Sequence, residues 1–231
     1  MMNPIRDGKF TSSNIWALMT RDRKGDGFGA PALKLIKQKQ YERKLKRTLE
    51  TDLNSKPVNW GKLVEKRVQA MLPFEMNYQS LDTMLHPTIP NWAGTPDYLG
   101  PDTVGDIKCP WTLQSFCDMY EAMSVGVEEL KAVKPEYYWQ LVSNSVLTGK
   151  TKAELTIYVP YQTELEDIRE MARSQDEDQE RYTFVNFALD DDLPYLNPAG
   201  DYKNILTMTF TVPPADQVAL AVAVEKANAI I

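Results

Sequence analysis

Apolar positions along this chain recur at two periods, and the changes of period mark out its elements. From Trp60 to Leu72, Val64, Val68, Met71 and Leu72 share one helical stripe. Glu65 lies just beyond the edge of that stripe, so its carboxylate faces the border of the core. Upstream, the Thr11-Ser12-Ser13-Asn14 run can cap a short helix through Ile15, Leu18 and Met19. Pro31 opens a long basic helix to about Leu53, and Ser55 to Asn59 reads as a turn. From Trp92 the pattern shortens to two strands joined by Gly100, Pro101 and Asp102. A helix-rich stretch covers Thr112 to Val133, and Pro135 starts a helix over Glu136 to Thr148 that Gly149 closes. The strand Glu154 to Val159, a late strand Thr207 to Val212 and an Ala/Val-rich C-terminal helix complete the pattern. No repeat or linker interrupts it, which predicts one α/β domain over residues 1–231, with a C-terminal strand and helix at about 205–231.

Composition narrows the class without changing that picture. The 231 residues are 43% hydrophobic and 25% charged, as in globular proteins. No apolar run approaches the ~20 residues of a membrane helix, and the first residues lack a signal-peptide stretch, so a soluble, cytoplasmic protein without membrane contact is expected. Cys109 and Cys117 are too few for a disulfide scaffold and match no zinc spacing. A single histidine, His86, reads as a turn residue before Pro87 and excludes chemistry needing two imidazoles. Catalysis must then run on carboxylates, lysine or a hydroxyl.

Charge is distributed unevenly. The net charge is −6, yet Arg21 to Arg47 holds ten basic residues against three acidic ones, a local +7 that leaves −13 elsewhere. A basic element on an acidic body can touch phosphates, and Lys44, Lys46 and Arg47 are the candidate DNA-backbone contacts; a solvated helix face is the other reading. The acidic segment 164–180 reads as a solvated helix and loop. Gly25 to Gly29 is a flexible loop and not a dinucleotide fingerprint. Gly149-Lys150-Thr151 lacks its upstream glycine, Asn144 standing there, so no ATP site is expected.

The informative segment is Gly94-Thr95-Pro96-Asp97-Tyr98-Leu99 followed by Thr103-Val104-Gly105-Asp106-Ile107-Lys108. A four-residue loop would pair Leu99 with Val104, and hence Asp97 with Asp106, on the face that also carries Lys108. Two facing carboxylates repel unless one is protonated or a cation lies between them. Hard oxygen ligands point to Mg²⁺ or Mn²⁺, with one or two ions left open. Lys108 could hold or deprotonate a water, or stabilise charge on phosphoryl oxygens, and Glu65 could add a ligand from its helix.

These residues resemble the PD-(D/E)xK nuclease superfamily and, within it, the phage lambda exonuclease (YqaJ-type viral recombinase) family. The likeness runs in order through Arg6-Asp7-Gly8-Lys9-Phe10-Thr11-Ser12-Ser13, Trp60 to Glu65, Gly94 to Asp97 with Asp106 to Trp111, and Tyr137 to Leu141. It covers about residues 6–160, with Asp106 where the family often has Glu. The resemblance implies a restriction-endonuclease-like fold, a central mixed β-sheet flanked by helices. It implies a Mg²⁺-dependent exonuclease that digests double-stranded DNA from 5′-phosphorylated ends, 5′ to 3′, leaving 3′ single strands for phage-type recombination. Glu65, Asp97, Asp106 and the Ile107 carbonyl would hold Mg²⁺, with Mn²⁺ able to substitute. Lys108 would be base or charge stabiliser, Gln140 would orient the water or the lysine, and Arg6 and Ser13 would bind the 5′-phosphate. A homotrimeric ring and a single-strand annealing partner are implied on the same grounds. An endonuclease cutting internal sites and a catalytically silent DNA-binding module are the alternatives.

Overall fold

The computed structural model describes residues 4–25, 27–49, 54–72, 82–175 and 179–231. A 3₁₀ turn at Pro4–Arg6 leads into β1 (Phe10–Thr11), and the expected short helix is a second 3₁₀ turn, Ile15–Met19. Two backbone hydrogen bonds flank the glycine-rich segment: Asp22 N–H donates to Gly27 O at 3.1 Å and Gly29 N–H to Thr20 O at 3.0 Å. A Cβ on Gly29 would lie 2.8 Å from Arg21 O, so this close approach needs glycine. Asp26 lies outside the described residues.

Helix α1 (Ala30–Leu45) stops well short of Leu53, which is itself outside the described residues. Lys46 turns left-handed (φ 53°), and the buried Glu42 carboxylate takes the amides of Gly8 at 3.2 Å and Leu49 at 3.1 Å. That carboxylate offers the chain an alternative to further helix. Helix α2 (Lys56–Met71) starts inside the segment expected to be a turn, because Pro57 sits in the first helical turn, where its missing N–H costs nothing. Its core face is Trp60, Leu63, Val64 and Val68, while Met71 is 44% exposed.

Next come β2 (Met84–Leu85), β3 (Trp92–Gly94), β4 (Tyr98–Leu99) and β5 (Thr103–Lys108). The 112–133 stretch is two helices, α3 (Leu113–Val125) and α4 (Val127–Val133), broken at Gly126 with φ 140°. Helix α5 (Pro135–Thr148) ends at Gly149 as expected and leads to β6 (Lys152–Tyr158). The acidic segment is not wholly solvated: α6 (Leu165–Arg173) buries Leu165, Ile168 and Ala172 beneath its outward acids. Residues 176–178 are not among those described. Helix α7 (Gln179–Phe187), β7 (Ile205–Thr211) and α8 (Pro214–Asn228) complete the chain.

Among the described residues the strands form two sheets, ordered β1-β3-β2 and β4-β5-β6-β7. In the second, β4/β5 and β6/β7 are antiparallel and β5/β6 parallel, so this is a mixed sheet between helices. Val104, Ala153, Leu155 and Ile157 join the core that includes residues of α1, α3, α5 and α8. Ile107 and Tyr158 join the opposite core with residues of α2, α6 and α7. Strand alternation therefore turns Asp106 and Lys108 toward the first face, where α5 lies. No helix among the described residues is long and apolar enough to cross a membrane.

Candidate active site

The hairpin has the expected register, Leu99 opposite Val104 and Tyr98 opposite Gly105. Gly105 has to be glycine, because an added Cβ would fall 1.9 Å from Cζ of the buried Tyr98 ring lying over it. Asp97, expected directly opposite Asp106, falls just past the end of the ladder. Pro96 has no amide to extend the pairing. The Asp97 N–H instead donates to Gly105 O at 3.1 Å, and its Oδ2 accepts the Ile107 N–H at 2.7 Å. A carboxylate that takes a backbone amide is stabilised beside a like charge.

Asp106 is fully buried. Gln140, from α5, donates to its Oδ1 at 2.6 Å, and the Lys108 ammonium stands 2.5 Å from its Oδ2. Among the described residues Oδ2 has that ion pair alone, not aligned as a hydrogen bond. The Lys108 ammonium also lies over the Tyr137 ring, 5.3 Å from its centre.

Burial and charge displace the titrating groups. Burial and then the Asp106 charge push Glu65 up to about 7, against smaller opposing effects of Lys108, Lys62 and Lys66. Burial, with Asp106 and Glu65 nearby, drives Asp97 well above the carboxylate range. Burial alone would lower Lys108, but Asp106 and Asp97 outweigh it and hold the amine above its ordinary value. Burial also raises Cys109 well above a usual thiol. The group is thus an acid cluster short of positive charge, with one lysine held firmly protonated.

These residues open on one cleft with two compartments. The larger, of about 800 Å³, is lined by Arg6, Ser12, Ser13, Lys62, Asp97, Lys108 and Gln140 among others. The smaller, of about 450 Å³, includes Ser13, Gly61, Glu65, Ile107, Lys108, Tyr137 and Gln140. Every proposed catalytic or phosphate residue except the fully buried Asp106 therefore lines the cleft, and Asp106 lies behind Lys108 and Gln140. Lys44, Lys46 and Arg47 do not: they are exposed where α1 ends, and none lines either compartment. Lys62 and Tyr137 lie in the family-like segments, but sequence reasoning assigns neither of them a role. Both stand three residues before a residue singled out on the same helix, Glu65 and Gln140, and that spacing puts each pair on one face.

Solved structures resemble the fold over nearly the whole chain. An alkaline exonuclease (LHK-Exo) from Laribacter hongkongensis matches with a TM-score of 0.63 at 16% identity, covering 97% of this chain and 88% of that one. The chain has the fold of solved exonucleases. LHK-Exo in complex with dAMP gives a TM-score of 0.62 at 16% identity, with coverage of 98% and 89%. A phage-related exonuclease from Haemophilus somnus 129PT gives 0.58 at 13% identity, covering 98% of this chain and 96% of that one. No family model matches the chain, and neither does any curated protein.

The donor set suits a hard divalent cation: burial and the Asp106 charge raise Glu65 and Asp97 above their ordinary values, and a buried Asp106 oxygen lacks a hydrogen bond. Among the described residues, however, no three acidic, thiol or imidazole groups close on one point as a ready-made cage. The cation that Asp106 holds here is the Lys108 ammonium.

Proposed function

We propose that this chain is a Mg²⁺-dependent exodeoxyribonuclease that digests double-stranded DNA from 5′-phosphorylated ends, 5′ to 3′, leaving 3′ single strands for recombination. The observation that carries the reading is that Lys108 and Gln140, both held by the buried Asp106, line the same cleft as Arg6 and Ser13. The fold shared with exonucleases supports it. The dAMP held by one of them is a single deoxynucleotide, which suits stepwise release of mononucleotides by this chain.

Arg6 and Ser13 bind the terminal phosphate, the guanidinium with paired hydrogen bonds. That anchor sets the next phosphodiester near Lys108. Lys108, kept charged by its acidic neighbours, donates hydrogen bonds to a phosphoryl oxygen and stabilises the charge that gathers there. Its charged state favours the role of charge stabiliser over that of proton acceptor. Gln140 holds Asp106 in place. Glu65, Asp97 and Asp106, with the Ile107 carbonyl, would hold Mg²⁺ or Mn²⁺. When bound, the ion supplies an electrophile for the phosphate and acidifies a water. A cytoplasmic location, a homotrimeric ring around DNA and a single-strand annealing partner belong to the same proposal; sedimentation of a monomer at micromolar concentration would remove the ring.

The test compares linear 5′-phosphorylated duplex, the same duplex with 5′-hydroxyl ends, and closed circular DNA, each with Mg²⁺ and with EDTA. Mononucleotide release from the phosphorylated linear duplex alone, abolished by EDTA, is the expected result. Rapid cutting of the circle would replace the reading with an endonuclease, and binding without cleavage would leave a silent DNA-binding module.

A further inference from the structure

We propose that Tyr137 is a positioning residue, whose ring face holds the Lys108 ammonium against Asp106. Lysine is a compact charge on a flexible four-carbon stem, with no fixed donor direction of its own. Here the Lys108 side chain is still 22% exposed, so packing alone does not fix it. Two contacts do: the Asp106 carboxylate is 2.5 Å from Nζ, and Nζ lies over the Tyr137 ring, 5.3 Å from its centre. The second distance is inside the ~6 Å reach of a cation over an aromatic face.

The placement follows from the sequence. Tyr137 and Gln140 are three apart on α5, hence on one helical face, and α5 packs across β5. On β5, Asp106 and Lys108 are two apart and point the same way. Helix and strand therefore meet at two points: Gln140 takes Oδ1 of Asp106, and the Tyr137 ring takes the ammonium of Lys108. Among the described residues the Tyr137 hydroxyl makes no hydrogen bond, so the ring is the operative part. Lys131 is held over the rings of Tyr138 and Trp139 on the same helix, but it is tied to Asp216 of α8 and does not line the cleft.

The catalytic consequence rests on the proposed nuclease reading, but the contact itself does not, and the experiment separates the two. In protein carrying ¹³C-lysine, the Lys108 ε-methylene signal, assigned by its disappearance in Lys108→Arg, should lie upfield of the other lysines because of the ring current. Tyr137→Phe should keep that shift, and Tyr137→Leu should return it to the ordinary position. On 5′-phosphorylated duplex with Mg²⁺, Tyr137→Leu should lower kcat by about tenfold with little change in KM, while Tyr137→Phe stays within about twofold of wild type. An ordinary Lys108 shift in the wild-type protein overturns the inference whether or not the Leu variant folds. So does a Phe variant as impaired as the Leu variant, or a Leu variant that loses the shift but keeps kcat. If wild type cuts no DNA, the nuclease reading fails, and the chemical shifts alone decide whether the ring holds the lysine.

Discussion

Gln140→Met removes a donor while keeping the length of the side chain, so it isolates the support given to Asp106. The Gln140 amide donates at 2.6 Å to a carboxylate that is fully buried. A hydrogen bond to a charged group contributes about 1.5–3 kcal/mol. For a chain of this size each kcal/mol moves Tm by about 2–4 °C, so Gln140→Met should lower Tm by roughly 3–12 °C. Far-UV circular dichroism melts in EDTA measure this without interference from added ions. Asp106→Asn supplies the control, because it leaves a neutral acceptor. In that background Gln140→Met should cost only about 1 kcal/mol, and the double-mutant cycle gives the charge-assisted difference as a coupling energy. An unchanged Tm, or strictly additive losses, would refute the claim that Gln140 acts through the Asp106 charge.

Gly105→Ala should destabilise by about 3 kcal/mol or more, because the new methyl group overlaps the Tyr98 ring and drives it from its hydrogen bond to Glu154. Denaturant midpoints check it, and a loss under 1 kcal/mol would contradict the packing. Burial pushes the Glu42 carboxyl up, but hydrogen bonds from Gln38, Lys39 and the Leu49 amide and the Lys39 charge outweigh it and hold it below its ordinary 4.5. A lowered carboxyl contributes stability above the unfolded value that is lost as pH falls, so Glu42→Gln should flatten the stability decline below about pH 4.5. Urea midpoints from pH 3 to 6 measure it, and parallel curves would count against it. Neutralising Lys44, Lys46 and Arg47 together should weaken DNA binding and flatten its salt dependence, the exposed end of α1 meeting phosphates outside the cleft. An unchanged slope in binding titrations would reassign them to a solvated face.

Much of the fold was legible because its signals are local. Pro135 and Gly149 bound α5 as start and stop residues should, and the Gly100 to Thr103 turn set the register of the hairpin. What escaped depends on contacts remote in sequence. Helix α1 ends early because Glu42 collects amides from Gly8 and Leu49, and α6 is half-buried because its apolar residues meet α2 and α7. At the site, Asp97, Asp106 and Lys108 could be placed on neighbouring strands by alternation alone. The turning of Asp97 onto the Ile107 amide could not, since it depends on where the ladder stops at Pro96. The grip of α5 on Lys108 was half visible: Gln140 was given a role, whereas Tyr137 stood in the same family-like segment without one until the ring was seen beside the ammonium.

The account depends most on the acidic cluster being a seat for a divalent ion. Calorimetric titration of Mn²⁺ into the wild-type chain and into Asp106→Asn measures that directly. Saturable binding by wild type, weakened at least about tenfold in the variant, is the predicted result. Equal affinity in both proteins, or no binding by a wild-type chain that still degrades DNA in EDTA, would contradict it.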